Sequence, residues 1–272
     1  MQVIDTANKL VELDFYNEVI WNVSAEFKHS DFDVVTVSDP PDEPFKPLPA
    51  TPYKKVVFSF SDELNRLPTY ADDKDVLVVF KCYAPSTPHP KLCPIPLPYK
   101  AGFKPQLVDF ARRKNTLFFS GHPNGESRKE LQKVCQTIKF DNSAIGFTDG
   151  FGLGYKMGEY AAILGNSKYA VCPRGNNMET FRHIEAAMSG CIIISNHQQA
   201  HWYNQQVPFF HVNDWTELPA IFEFLENNKP VAEQISKDTL LYYQKYLSLE
   251  AVSNVCSKTI KHELTKKCLI YQ

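Results

Sequence analysis

The stretch that decides the fold is residues 167–196, which read SKYAVCPRGNNMETFRHIEAAMSGCIIISN. Two short apolar runs, 168–172 and 191–195, have the composition of strands that are covered on both faces of a sheet. Between them apolar residues recur at helical spacing, and Gly190 is placed where a helix would end in a left-handed residue. The stretch therefore predicts a β-α-β unit with two buried parallel strands.

The turn between the first strand and the helix has the composition of an anion site. Ligands of parallel sheets bind beyond the carboxyl ends of the strands, where the N-termini of the following helices also lie. Arg174 supplies a cation in this turn, and Gly175 lets the backbone approach a phosphate. Arg182 stands in the first helical turn, and Glu185 is placed to accept both hydroxyls of a ribose. The alternative is a surface ion pair between Arg182 and Glu185, with Arg174 as a solvated turn residue.

A second turn of the same kind occurs earlier in the chain. Residues 116–131 read TLFFSGHPNGESRKEL, a strand that runs into a glycine turn and then a helix start. Gly121 opens this turn, and Arg128 lies in the first turn of the helix. Because two strand-to-helix turns each present a glycine and an arginine, we predict that they converge on one diphosphate.

These segments resemble a known family. The motifs CPRG, FRHIEA and GCIIIS, together with the block at 116–131, are similar to the exostosin-like glycosyltransferases, family 47 of the inverting GT-B enzymes. A fainter block at 92–98, LCPIPLP, resembles the segment that leads into the nucleotide half of that family. The resemblance spans residues 92–225 and matches the first ninety residues only loosely.

The resemblance implies an α/β fold of the GT-B type, with two Rossmann-like lobes, a cleft between them and a reduced N-terminal lobe. Residues 1–100 would form the acceptor-binding lobe, residues 101–250 the nucleotide-sugar lobe, and residues 251–272 a C-terminal helix that returns to the first lobe. The alternation of strand and helix patterns in the second half independently favours a doubly wound parallel sheet.

The activity implied by the resemblance is transfer of a sugar, with inversion, from a UDP-sugar to a hydroxyl of an oligosaccharide or of a glycoprotein glycan. Family members use several UDP-sugars, and UDP-xylose is the expected donor because short soluble relatives carry similar FRxxEA blocks. A short soluble xylosyltransferase of the kind that large algal viruses encode is therefore the expectation. The residues expected to bind the nucleotide are Gly121, Arg128, Arg174, Gly175, Arg182 and Glu185. Two alternatives stay open: a retaining GT-B transferase or phosphorylase, and a non-catalytic carbohydrate-binding protein.

The catalytic base of such a transferase would come from the first half of the chain. The apolar run 55–60 is followed by Ser-Asp-Glu, which places Asp62 and Glu63 at the carboxyl end of a parallel strand. The alternative for Asp62 is the N-cap of a helix that begins near Glu63.

Composition excludes some classes of ligand and partner. A net charge of −2 and a pI near 6.4 give no general attraction to nucleic acid or to anionic membranes. The seven cysteines contain no CxxC pair, which favours a reducing compartment, and the Asp31-Phe32-Asp33 spacing precedes its strand, so no metal is expected. No run of the sequence has the length of a membrane span. We therefore expect a cytoplasmic protein, with a trimmed Golgi-lumenal domain as the alternative.

His197 and His201 follow a core strand and stand four residues apart. They are expected to be loop residues near a sugar and not metal ligands.

Overall fold

The computed structural model describes residues 2–7, 10, 12–28, 31–150, 152–196 and 201–268. The chain divides into two compact units, each built around a parallel sheet of five strands. Unit 1 comprises Met1–Ala101, His201–Tyr203 and Tyr246–Gln272. Unit 2 comprises Gly102–Ala200 and Asn204–Lys245.

The sheet of unit 1 has its strands in chain order, and all neighbours are parallel. The central strands are buried, apart from the last residue of the first of them, Ser38, because their β-branched and aromatic residues are covered on both faces. The strands are β1 (Val3–Asp5), β2 (Asp33–Ser38), β3 (Lys55–Phe60), β4 (Val76–Lys81) and β5 (Leu92–Pro94).

The sheet of unit 2 has the order β10-β9-β8-β6-β7, and all neighbours are again parallel. Its core contains Trp215 and Tyr169, both buried against the apolar faces of the central strands. The strands are β6 (Asn115–Gly121), β7 (Ala144–Phe147), β8 (Ser167–Cys172), β9 (Ile192–Ser195) and β10 (Phe210–His211).

The helices connect the strands and cover the sheets. In unit 1 the first helix packs against the last, and a hydrogen bond of 3.5 Å joins Asn22 Nδ2 to Ser253 Oγ. In unit 2 the helix Phe181–Met188 is followed by Ser189 and then Gly190, whose φ of +63° is the left-handed conformation that the sequence predicts there. The helices are α1 (Leu13–Ser24), α2 (Gly125–Thr137), α3 (Met157–Gly165), α4 (Phe181–Met188), α5 (Leu218–Asn227), α6 (Lys229–Tyr242) and α7 (Leu249–Cys268).

The sequence-based expectation of an α/β fold with parallel sheets is confirmed. A helix beginning near Glu63 is not formed: the chain turns there, and Ser61 and Asn65 adopt left-handed φ values of +70° and +56°. Asp33 begins β2, so the Asp31-Phe32-Asp33 motif lies at the amino end of that strand, opposite the edge where ligands bind parallel sheets. Among the described residues, no helix has both the length and the apolar character needed to cross a bilayer.

Candidate functional site

The two glycine turns lie side by side in unit 2. Strands β6 and β8 are neighbours, with Leu117 opposite Tyr169 and Phe118 opposite Ala170. Because the two strands are parallel, both turns leave the same edge of the sheet, the edge at which the helix N-termini also lie. The structure therefore brings together the two segments that the sequence singles out.

Arg128 links the two turns. Its Nε donates to the main-chain oxygen of Arg174 at 3.2 Å, across the gap between the turns. Its Nη1 donates to the main-chain oxygen of His122 at 3.1 Å and to Asn124 Oδ1 at 2.8 Å, within its own turn. The guanidinium thus fixes the geometry of the edge as well as contributing positive charge to it.

The glycines at this edge make room for arginine side chains. A Cβ atom at Gly175 would lie 2.9 Å from Arg128 Nη2, and one at Gly121 would lie 3.2 Å from Arg182 Nη2. Neither glycine has the positive φ that would by itself demand glycine. Glycine is needed at both positions because a guanidinium group packs closely against the backbone and leaves no room for a Cβ atom.

Arg182 is the least satisfied polar group of the edge. It is 8% exposed, its guanidinium carbon lies 4.6 Å from the Phe119 ring centroid, and its Nη2 donates to the main-chain oxygen of Ser120. Its Nε and Nη1 are buried without a hydrogen-bond partner among the residues that the structure describes. A buried donor without an acceptor is costly, so the position favours an anion that arrives with the ligand.

Glu185 is buried one turn further along α4. It is 3% exposed, and its Oε2 accepts a hydrogen bond of 2.8 Å from the Tyr160 hydroxyl. Burial and the nearby Glu185 carboxylate raise the pKa of Tyr160 well above its usual value, so the hydroxyl remains a donor. Since Arg182 and Glu185 are both buried, the alternative of a solvated surface pair is wrong.

A third strand end also contributes to the edge. Asn196 follows β9, and its Oδ1 accepts from the main-chain nitrogen of Arg174 at 3.3 Å. Its Nδ2 donates to Ser127 Oγ at 2.8 Å, and Ser127 also accepts from Trp215 Nε1 at 2.9 Å. Sequence reasoning misses Asn196 and Ser127, because a single amide or hydroxyl carries no local signal until the strands are placed next to one another.

His183 carries no charge at neutral pH. Burial lowers its pKa to about 4, and the charges of Arg182 and Arg128 act in the same direction. Its Nδ1 lies 3.2 Å from the main-chain nitrogen of Thr180, which donates to it, and its Nε2 lies 2.9 Å from Ser195 Oγ. The neutral imidazole therefore links the start of α4 to the end of β9, and its depressed pKa is in keeping with the positive potential of the edge.

The backbone adds to this potential. Helix N-termini carry roughly half a positive charge, and both α2 and α4 start at this edge. In α4 a capping box formed by Thr180 and His183 pairs some of the first N–H groups. Asn124 precedes α2 without capping it, because its Oδ1 accepts from Arg128 instead. The turns of unit 2 thus combine three arginines with two helix N-termini, a set of groups suited to a phosphate or diphosphate.

Asp62, in unit 1, is a buried ion-pair centre. It is fully buried; its Oδ1 accepts from Arg66 Nε at 2.8 Å and its Oδ2 from the Arg66 main-chain nitrogen at 2.7 Å. Lys81 Nζ lies 3.1 Å from the same Oδ2, and burial lowers the pKa of this lysine while Asp62 opposes the change. Asp62 closes the turn that follows β3 and neutralises a buried ammonium ion.

Glu63 occupies a different environment from Asp62. Its side chain is partly exposed, and its main-chain nitrogen donates to the Ser61 oxygen at 3.0 Å. Burial, followed by the charge of Glu63, raises the pKa of Glu12. Glu63 therefore lies near a second carboxyl group, at the carboxyl end of β3.

His197 lies outside the described residues, whereas His201 is buried in unit 1, and burial lowers its pKa. Within the described part of the chain no three His, Cys, Asp or Glu side chains are grouped so as to hold a metal ion. The cysteines whose side chains are described all carry free thiols.

Comparisons with known proteins add little to the geometry. No protein-family model matches the sequence. Among solved structures, a chain from the crystal structure of the GtfA/B complex is similar, with a TM-score of 0.45 and 11% sequence identity over 94% of this chain. The alignment covers 61% of that longer chain.

Proposed function

We propose that unit 2 binds the diphosphate of a nucleoside-diphosphate sugar, and that the protein transfers the sugar to a hydroxyl of a glycan. The observation that carries the proposal is the buried guanidinium of Arg182, whose Nε and Nη1 have no partner among the described residues. It stands at the N-terminus of α4, beside the turn that follows β6. A diphosphate supplies acceptor oxygens and negative charge to these donors.

The neighbouring groups support a diphosphate rather than a single phosphate. Arg174 is partly exposed, and Arg128 stands on the adjacent turn with its own helix N-terminus. Two adjacent cationic turns match two linked phosphates, and the motif resemblance favours uridine as the nucleoside. Glu185 is proposed to contact the ribose from the position in which Tyr160 holds it.

The proposed reaction is a single displacement. The acceptor oxygen attacks the anomeric carbon as the bond to the β-phosphate breaks, so the sugar inverts and UDP leaves with both electrons of that bond. The arginines and helix N-termini stabilise the charge that develops on the leaving diphosphate, and no metal is proposed. Glu63 is the proposed base for the acceptor proton, because all the hydrogen-bonding contacts of Asp62 are with cationic side chains or with the turn it closes. Xylose is the proposed sugar, on the motif resemblance alone.

The proposal is tested first by binding. UDP at a hundredfold excess over its dissociation constant should stabilise the protein by about 2.7 kcal/mol, whereas uridine without phosphates should stabilise it far less. A panel of UDP-sugars is then screened for release of UDP with chelator present, and the anomeric configuration of any product is read by NMR. A protein that binds glycans but neither UDP nor inorganic pyrophosphate would be a carbohydrate-binding protein, and a product with retained configuration would indicate the retaining alternative.

A further inference from the structure

Unit 1 contains a pocket that the proposed nucleotide site does not use. It has a volume of about 340 Å³ and lies at the carboxyl ends of β1 and β2. This volume falls near the lower end of the range of about 300–1,000 Å³ for small-molecule sites. One wall is apolar, formed by Val37 and by three prolines of the loop after β2, Pro40, Pro47 and Pro49.

The polar part of the pocket is centred on the Asp39 carboxylate. Asp39 is 4% exposed and lines the pocket. Its Oδ2 accepts two hydrogen bonds from the core, from Ser59 Oγ at 2.7 Å and from the Tyr70 hydroxyl at 2.5 Å. Its Oδ1 receives no donor from the residues that the structure describes. A carboxylate oxygen that reaches a pocket accepts hydrogen bonds from water there, or from the hydroxyl groups of a ligand that replaces the water.

Two hydroxyl groups accompany this carboxylate. Thr6 Oγ1 donates its proton to the Thr36 main-chain oxygen at 2.6 Å, so it presents only lone pairs to the pocket. Ser38 also lines the pocket, and its hydroxyl forms no hydrogen bond to the part of the protein that the structure describes. The pocket thus offers mainly acceptors, with the Ser38 hydroxyl as a donor and the Lys46 ammonium, paired to Glu43, at its rim.

This chemistry selects the class of ligand. An anion would be repelled by the Asp39 and Glu43 carboxylates, and the Lys46 ammonium is already paired to Glu43. An apolar ligand would leave the Asp39 Oδ1 without a donor. A bare cation would find the Asp39 Oδ1 and the Glu43 carboxylate, but Glu43 is already neutralised by the Lys46 ammonium at 2.7 Å, which would also repel the cation. A neutral molecule with several hydroxyl donors and an apolar C–H face satisfies both the acceptors and the proline wall.

We infer that this pocket binds a sugar residue, with the Asp39 carboxylate accepting its hydroxyl protons. The inference rests on the pocket alone. Its identification as the subsite for a sugar of the acceptor glycan rests on the proposed function.

The test measures binding of methyl glycosides to the full chain without nucleotide, by saturation-transfer NMR and by titration. Asp39→Asn keeps the shape of the side chain and an oxygen for Ser59 and Tyr70, but turns the pocket-facing acceptor into a donor. It should weaken glycoside binding by roughly tenfold or more. Ser38→Ala should weaken binding by about three- to tenfold, the range for a neutral hydrogen bond. Because the Ser38 hydroxyl forms no hydrogen bond to the described part of the protein, Ser38→Ala should not affect folding. It therefore tests the inference even if Asp39→Asn is unstable.

Ser86→Ala is the matched control, since Ser86 is an exposed hydroxyl of unit 1 away from the pocket lining. It should leave glycoside binding unchanged. The inference is overturned if no glycoside binds, if Ser38→Ala binds glycosides as the wild type does, or if inorganic phosphate displaces them. UDP binding is measured in parallel. If glycosides bind and UDP does not, the nucleotide proposal is rejected and the sugar pocket is retained.

Discussion

Arg128 and Arg174 belong to different turns of unit 2, and the Nε of Arg128 donates to the main-chain oxygen of Arg174 at 3.2 Å. Arg128 makes two further hydrogen bonds in its own turn, at 3.1 and 2.8 Å. The side chain of Arg174 makes one long contact among the described residues, 3.5 Å from Nη2 to the Asn176 oxygen. The two arginines therefore have different roles, since Arg128 maintains the edge and Arg174 is available to a ligand.

Alanine substitution should separate these two roles. Arg174→Ala should lower UDP affinity by about 1.5 to 3 kcal/mol, the range for charge-assisted hydrogen bonds, with little change in melting temperature. Arg128→Ala should lower UDP affinity and also destabilise the fold by about 2 to 4 kcal/mol, because three hydrogen bonds are lost. Calorimetric titration with UDP and urea denaturation measure the two effects.

Lys129→Ala is the matched control for this pair. Lys129 is exposed on α2 beside Arg128 and pairs only with the exposed Glu126 at 3.2 Å among the described residues. It should change neither quantity, because surface ion pairs contribute little. Unaltered UDP affinity in both arginine variants would remove the shared-diphosphate hypothesis.

Replacement of Arg182 provides a sharper separation of ligand binding from folding. Arg182→Met retains the length of the side chain and its contact with Phe119. It removes two buried donors without a partner among the described residues, which offsets the loss of the one hydrogen bond from Nη2 to the Ser120 oxygen. The free protein should therefore keep its melting temperature, whereas UDP affinity should fall by about 1.5 to 3 kcal/mol. A large drop in melting temperature with normal UDP affinity would mean that Arg182 serves the fold alone.

The strands that can be predicted from sequence are those buried on both faces. Lys55–Phe60 has the bounds of the apolar run 55–60 that predicts it, and Val76–Lys81 is a continuous run of the same kind, which leaves little ambiguity. Ala144–Phe147 escapes prediction, since four residues with an internal glycine have too weak a pattern. Leu92–Pro94 lies in a proline-rich stretch and is an edge strand, where proline is tolerated.

For the site, the sequence indicates the two charged turns but not the hydrogen bonds that position their side chains. Glycine and arginine next to a helix start form a local pattern, so Gly121 and Arg174 are candidates on sequence grounds alone. The contacts of Tyr160 with Glu185 and of Asn196 with both turns arise only when distant segments pack, and no spacing rule contains them. The same holds for the space that Gly175 leaves for Arg128.

The ion pair between Asp62 and Lys81 predicts a strong effect on stability. Asp62→Asn should destabilise the protein by about 3 to 5 kcal/mol, because it leaves a buried ammonium ion without its counter-charge. Adding Lys81→Met to this variant should recover much of the loss, since the second buried charge is then also removed. If urea denaturation shows no recovery in the double variant, the hydrogen bonds of Asp62 to Arg66 are the dominant contribution.

Glu63→Gln should behave in the opposite way. The side chain is partly exposed, so the melting temperature should stay close to that of the wild type, and UDP affinity should be unchanged. Turnover of the UDP-sugar with acceptor should be lost, because the amide cannot accept the proton. Leu64→Ala, at an exposed neighbouring position, is the control and should retain turnover. Full activity of Glu63→Gln would require another base.

The last prediction concerns pH and the neutral His183. Its pKa is lowered from 6.5 to about 4 in the folded protein, chiefly by burial. Below pH 6.5 the imidazole is therefore protonated in the unfolded chain but not in the folded protein, so the unfolded state is favoured as pH falls. The stability that comes from burying a neutral His183 is complete above pH 6.5 and is lost as pH falls toward 4. At about 1.4 kcal/mol per pKa unit, the loss amounts to about 3 kcal/mol.

His183→Gln offers the same hydrogen-bonding types to Thr180 and Ser195 without a titrating group. The free energy of unfolding, measured with urea at several pH values between about 7.5 and 4, should therefore fall less steeply in this variant than in the wild type. His211→Gln, which replaces an exposed histidine, should reproduce the wild-type slope. Equal slopes for His183→Gln and the wild type would mean that folding does not change the pKa of His183, and a neutral, buried imidazole between α4 and β9 would then be contradicted.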